Sequence, residues 1–379
     1  MSDRRLTYPL LPFSQYIYDM MRWMPFAYGL SRTLCWRGGA AEKDHVLNAI
    51  KRTIENHPVF QTRLNWRGRQ YKGETLDSLH GRYFDLSLYT KGEDLYLKGK
   101  INVLIADGMS ILIIANDFLR AYNGLELEAD NYWEYVERYE RSKSTPHYLE
   151  SKEWLEKEFA DSSIPVRPTI DRRHIATLLL PKVGLYEDDY TDQWEQIRQL
   201  SETKLLPIDG IFSLCTAFAI AEYCGTDEAA LTWANEGRDL KDAHICGCLH
   251  RDIPFKISRK MGIENRESAI RAARNQIRSG IAHSDYPYTL TAPYSKRWNY
   301  AVNILRVPDE ESLTELIQLP IEVLSSSPQK YAYALLDVEI HEHMHKKYLL
   351  FRYSATHYKP ESIKRFASLI RKYVEWLVE

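Results

Sequence analysis

The chain has 379 residues, 44 % of them hydrophobic and 12 % aromatic, with 50 basic against 52 acidic side chains and a net charge of −2. That length suits two domains of roughly 150–200 residues each. Balanced charge with no long run of one sign excludes the clustered basic footprint of a nucleic-acid partner, and gives no electrostatic ground for binding a membrane surface.

Residues 1–9 carry charges and no apolar core segment, so no signal peptide is expected. The apolar stretches 111–115 and 211–224 are too short or too mixed to span a bilayer, so no membrane span is expected either. Five cysteines, an odd and scattered number, do not make a disulfide framework. The default expectation is a soluble, cytoplasmic protein.

In chain order, 14–23 has the apolar spacing of a short helix after Pro9 and Pro12. A clearer helix is predicted over 42–56, where Val46, Leu47, Ile50 and Ile54 share a face and His57-Pro58 ends the pattern. Two strands follow, at 83–89 and 95–105. In the second, Leu95, Leu97, Ile101, Val103 and Ile105 alternate with their neighbours. It runs into Asp107-Gly108, after which a buried helix begins near Ser110, carrying Leu112, Ile113, Phe118 and Leu119. The stretch 131–159 is predicted helical. The Ser- and Pro-bearing stretch 161–171 is the expected linker, which puts the domains at 1–165 and 166–379.

The second series begins at 174–180. It contains a buried helix over 211–223, a strand at 229–235 and a helix from 267 to about 281. Strands at 331–340 and 348–354 form a hairpin. Pro360 then opens a closing amphipathic helix with Ile363, Phe366, Ile370, Val374 and Leu377 inward. Both halves mix helices and strands, so the fold class is α+β in two lobes.

Strand–Asp-Gly–helix is a weak motif alone, but its neighbours stand in a telling order. PLLPFSQYIYDM, LNAIKRTIENHPVFQTRL and INVLIADGMSILIIANDFLRAYNG are followed by TWANEGRDLKDAHICGCLHRDIPFKI, WNYAVNILRVP and the closing hairpin and helix. This ordered set resembles the condensation domains and alcohol acetyltransferases of the thioester-dependent acyltransferase superfamily, across nearly the whole chain. The resemblance implies two chloramphenicol-acetyltransferase-like lobes in a V, each a mixed β-sheet with helices, with an inter-lobe channel. It implies no permanently bound cofactor. Acyl-CoA or a phosphopantetheinyl acyl carrier would be a co-substrate, an amine or alcohol the acceptor, and an acyl or peptidyl carrier protein a partner.

The family site follows His-His-x-x-x-Asp-Gly, with the second His as general base. Aligned on Asp107 and Gly108, this chain has Asn102 and Val103 at the two His positions. Valine has no lone pair, so the base position is degenerate. Gln61 replaces an Arg at the family's helix end, where Arg63 remains. Arg238 is expected to pair with Asp107 and hold the turn. Ser110 either caps the helix or contacts substrate. Asn102 and Asn303 either contact substrate or fill hydrogen bonds. Two functions stay open: acyl transfer with atypical base catalysis, or a catalytically silent pseudoenzyme that docks a carrier protein or biosynthetic partner.

His341-Glu342-His343-Met344-His345 fits H-E-x-x-H by letter, and a zinc hydrolase would need a helix there. Between two alternating runs, it reads instead as a polar hairpin turn. His244, Cys246, Cys248 and His250 read as ordinary strand residues rather than ligands, because the outer pair of an extended strand lies roughly 20 Å apart. Cys215 reads as core, and no metal site is expected.

Overall fold

A computed structural model describes residues 6–22, 29–74, 79–172, 182–260, 265–287, 301–307, 321–326 and 335–379. The chain divides into two units. The first comprises Met1–Ser142, Glu236–His250 and Pro308–Pro328. Its antiparallel sheet has β1 (Gly29–Trp36) between β5 (Asp94–Asn102) and β10 (Ile321–Ser326), with β4 (Phe84–Lys91) on the far side of β5. Gly92, at φ +64°, makes the tight β4–β5 turn in a backbone region that favours glycine. A small ribbon pairs β2 (Thr62–Leu64) with β3 (Gln70–Lys72).

The helices of this unit are α1 (Pro12–Met21), α2 (Lys43–Asn56), α3 (Gly108–Tyr122) and α4 (Tyr132–Ser142). α2 buries Val46, Ala49, Ile50, Thr53 and Ile54, so three of the four predicted residues face inward and Leu47 is half-buried. Trp36 fixes α3 to β1, with its ring 5.6 Å from those of both Phe118 and Tyr122.

Two expectations change here. The strand expected to reach Ile105 stops at Asn102, because its Oδ1 accepts from the Leu104 amide and its carbonyl from the Ile105 amide. Leu104, Ile105 and Ala106 are buried in a turn instead. The helix expected to bury Leu112, Ile113, Phe118 and Leu119 leaves them half-buried. Its buried residues are Ser110, Asp117 and Ala121, spaced as one helical face. Polar residues thus hold the inward stripe of α3.

The second unit comprises Lys143–Asn235, Arg251–Val307 and Gln329–Glu379. Its strands are β6 (Val183–Asp189), β7 (Glu228–Asn235), β8 (Arg251–Ser258), β9 (Asn303–Val307), β11 (Leu336–Glu342) and β12 (Lys347–Ser354). They lie in the order β6-β12-β11-β9-β7-β8, with β9 parallel to both its neighbours. Its helices are α5 (Pro146–Glu158), α6 (Trp194–Lys204), α7 (Ile208–Cys224), α8 (Arg266–Ala282) and α9 (Pro360–Val378). α7 is buried from Ile208 to Ala221 save Asp209. α9 buries all five predicted residues, each contributing on the order of 1.5–3 kcal/mol. No single helix among the described residues is long and apolar enough to cross a membrane.

The predicted helix over 131–159 is two helices, α4 and α5. Thr145 accepts from the Tyr148 amide and Pro146 takes the first turn of α5, so the chain restarts there. The boundary between units falls at this restart, after Ser142, rather than in 161–171. The expected linker is docked instead. The Pro165 carbonyl accepts from the Ala230 amide, the Val166 carbonyl from the Val302 amide, and Ile164 and Val166 are buried. The expected element at 174–180 lies outside the described residues.

Candidate active site

Asp107 is the N-cap of α3: its Oδ1 accepts from the Ser110 amide at 2.9 Å. Arg238 reaches it in a fork, Nη2 to Oδ1 and Nη1 to Oδ2, both at 2.9 Å. The side chains are 8 % and 3 % exposed respectively, so this is a buried ion pair. Oδ2 also accepts from the Leu249 amide at 2.9 Å and the His250 amide at 3.1 Å. Arg238 further donates from Nε to the Ile245 carbonyl and from Nη2 to the Gly247 carbonyl. Burial pulls the Arg238 pKa down, but Asp107 outweighs it and raises it. The guanidinium stays charged.

Ser110 does not cap the helix, since Asp107 already holds that place. Its Oγ is buried, accepting from the Gly247 amide at 3.0 Å and from Arg238 at 3.1 Å. The Oγ lies 2.8 Å from both Asp107 Oδ1 and the Gly247 carbonyl, and its single hydrogen serves one of them. Ser110 therefore knits the turn to 245–250. The alternation of His244, Cys246, Cys248 and His250 forms no strand for the same reason. The amides of Cys246, Gly247, Leu249 and His250 are bound to Asp130, Ser110 and Asp107, not to a neighbouring strand. Cys246 and Cys248 are buried, while His244 is exposed and paired with Glu128.

Val103 is half-buried in the turn between β5 and α3. Asn102 spends its Oδ1 on the Leu104 amide. The other end of this turn is tied to α1, where the buried Ser14 Oγ donates to the Leu104 carbonyl at 3.0 Å. Gln61 is buried, and Arg63 donates to the Thr62 carbonyl.

A second polar cluster packs against α3, and no local pattern in the chain announces it. His57 is fully buried between two carboxylates: Nδ1 lies 2.8 Å from Asp130 and Nε2 3.3 Å from Asp117. Asp130 also accepts from the Tyr132 and Cys246 amides, which links this cluster to the Arg238 loop. Burial alone would lower the His57 pKa; the two carboxylates outweigh it and raise it. The Cys246 thiol is also near, with His57, Asp130 and Cys246 donor atoms within 4.8 Å of one another. Burial pushes that thiol well up, so it stays protonated, and the His57–Asp130 bond already occupies both partners. The cluster is built as an ion pair.

A pH dependence follows. A histidine with a raised folded-state pKa adds stability that is fully present below about pH 6.5 and lost as pH rises through the folded value. Unfolding free energy measured by urea titration between pH 6 and 9 should fall with a steeper slope in the wild type than in His57→Gln. Equal slopes would remove His57 from the account.

In the second unit, Asn303 accepts from Thr232 Oγ1 and donates to Asp252, both at 3.1 Å. It lies on the sheet face opposite the apolar core, with Asp337 and Glu339 of β11. Glu339 binds Arg352 in a fork and His341 at 3.1 Å. Burial and the nearby Glu339 push the Asp337 carboxyl up to about 8. The H-E-x-x-H letters fall on the β11–β12 hairpin, where His341 is paired with Tyr348 and the rings stack 4.7 Å apart. Ligands cannot converge as on a helical zinc site. Cys215 is buried and its pKa is pushed far up, as a core thiol requires.

An antiparallel sheet in one unit and a mixed sheet in the other, each with helices, accompany an Asp-Gly turn clasped by arginine. The family model for the Condensation domain matches residues 80–379, and the chain belongs to that family. Nonribosomal peptide synthetase 5 of Gibberella zeae is 24 % identical over 156 residues, which cover 41 % of this chain and 1 % of that protein. Solved structures share the fold. The epimerization domain from the third module of tyrocidine synthetase B aligns with a TM-score of 0.76 at 13 % identity, covering 99 % of this chain and 96 % of that one. The cyclization-docking bidomain of EpoB from Sorangium cellulosum gives 0.75 at 15 %, covering 100 % and 85 %. A variant starter condensation domain of rhizomide synthetase, in complex with C8-CoA, gives 0.71 at 15 %, covering 98 % and 94 %.

Proposed function

We propose that the chain passes an acyl group from a thioester, carried by coenzyme A or a phosphopantetheinyl carrier protein, to an amine or hydroxyl. One observation carries the reading: the Asp107-Gly108 turn is held by Arg238, Ser110 and the 245–250 amides, an investment of buried polar groups around a single loop. In this reading Asp107, Gly108 and Arg238 shape the site and Val103 stands at the degenerate base position. Ser110 fixes the turn, while Asn102 and Asn303 are substrate-contact candidates.

Magnitudes favour retained turnover. A general base supplies about 10²–10⁴-fold, whereas aligned reactants reach effective molarities of about 10⁵ M or more. A thioester is already activated, so alignment alone sustains slow transfer to an amine. Val103 favours the second reading, a silent domain that docks a carrier protein.

The test offers octanoyl-CoA and an octanoyl-carrier protein with octylamine or octanol, and reads product by mass spectrometry. Transfer above the uncatalysed rate is expected and would exclude the silent domain. Failure to bind either thioester would exclude the transferase.

A further inference from the structure

We infer that His250 supplies the general base that Val103 cannot, taking the proton from the acceptor during acyl transfer. The inference rests on the transferase reading and names the group that performs its proton step. Three ties within the first unit place His250 at the degenerate site. Its amide donates to Asp107 Oδ2 at 3.1 Å, so its main chain abuts the Asp-Gly carboxylate. Its ring lies 4.4 Å from the ring of Phe13, centroid to centroid. The next residue along α1, Ser14, holds the Leu104 carbonyl in the very turn that carries Val103. Phe13 and Ser14 thus bring the imidazole and the empty base position to one end of one helix.

The other histidines of the first unit lie elsewhere, His80 among them, exposed beside Asp85. His57 is enclosed by Asp117 and Asp130 with no surface exposed. His45 lies at the other end of α3, against the Tyr122 carbonyl, and His244 stands exposed beside Glu128. His250 is only half-buried, as a group that meets substrate must be. Of the charged groups beside its main chain, Asp107 and Arg238 neutralise one another, and the next residue, Arg251, is paired with Asp285.

The chemistry balances without a further reagent. The acceptor nitrogen or oxygen attacks the thioester carbonyl carbon as its proton passes to the imidazole. The C–S bond then breaks and the imidazolium returns the proton to the thiolate, leaving amide or ester and free thiol.

The test compares wild type with His250→Gln and His250→Ala, using octanoyl-CoA with octylamine across pH 5.5–9. The expected result is a loss of about 10²-fold or more in kcat with KM little changed. The acid limb of the wild-type profile, set by an imidazole that must be unprotonated, should disappear in His250→Gln. Calorimetric binding of octanoyl-CoA should survive in both variants, which separates loss of a base from loss of fold. Undiminished transfer with an unchanged pH profile in folded His250→Gln would overturn the assignment while the transferase reading stood. Wild type that binds thioester and transfers nothing would overturn the transferase reading, and the assignment with it.

Discussion

Asp107→Ala is expected to lose about 3–5 kcal/mol of unfolding free energy, the range for breaking a buried ion pair from one side. Arg238 is 3 % exposed and would keep its charge with no counter-ion. The Leu249 and His250 amides would lose their acceptor, and Ser110 its cap, each an added desolvation cost. The isolated contact is not the point: the pair itself could be nearly neutral against a well-packed apolar pair. Asp107→Leu with Arg238→Met should therefore be less destabilised than the sum of its single changes. The double-mutant cycle isolates that coupling. Hydrogen exchange supplies a local reading, since amides of 245–250 should lose protection before those of α7. A loss below about 1 kcal/mol, or protection unchanged at Leu249 and His250, would show that the clasp does not hold this loop.

The elements whose periodicity meets a single apolar surface were legible in the sequence. α9 buries all of its predicted face and α2 all but Leu47, because burial alone decides them. Misreadings arose where polar side chains govern the backbone. Asn102 turned an alternating run out of strand form, and Asp107 took the cap position that Ser110 seemed to offer. The loop 245–250 is fixed by acceptors more than a hundred residues away, so no local pattern announces it. His57 was visible only as the residue before a proline; Asp117 and Asp130 become its partners through tertiary packing. The Asp107–Arg238 pair was anticipated through family resemblance, since a separation of 131 residues carries no physical signal of its own. The stretch 161–171 has linker composition, yet its carbonyls and apolar side chains found partners in the second unit. Composition reports what a segment can do in water, and docking surfaces elsewhere decide what it does.

Moving the base is the sharper test of the site. Val103→His alone should change transfer little if His250 already takes the proton, because a second base adds nothing to a step that has one. In a His250→Gln background the same substitution should recover about 10²-fold or more in kcat, the typical contribution of a positioned base. Val103 is half-buried in a turn fixed at both ends, by Asn102 and by Ser14, so a new imidazole there would have a defined position rather than a mobile one. It would also stand four residues before Asp107, at the place the family motif gives its base. Recovery should bring back the acid limb of the pH profile, since an imidazole again has to be unprotonated. Two other results would each sink the account. A large gain from Val103→His in the wild-type background would mean that no base operates at present and that His250 is a bystander. No gain in either background, with the fold and thioester binding intact, would mean that proton transfer does not limit this chain and that alignment of the reactants sets its rate.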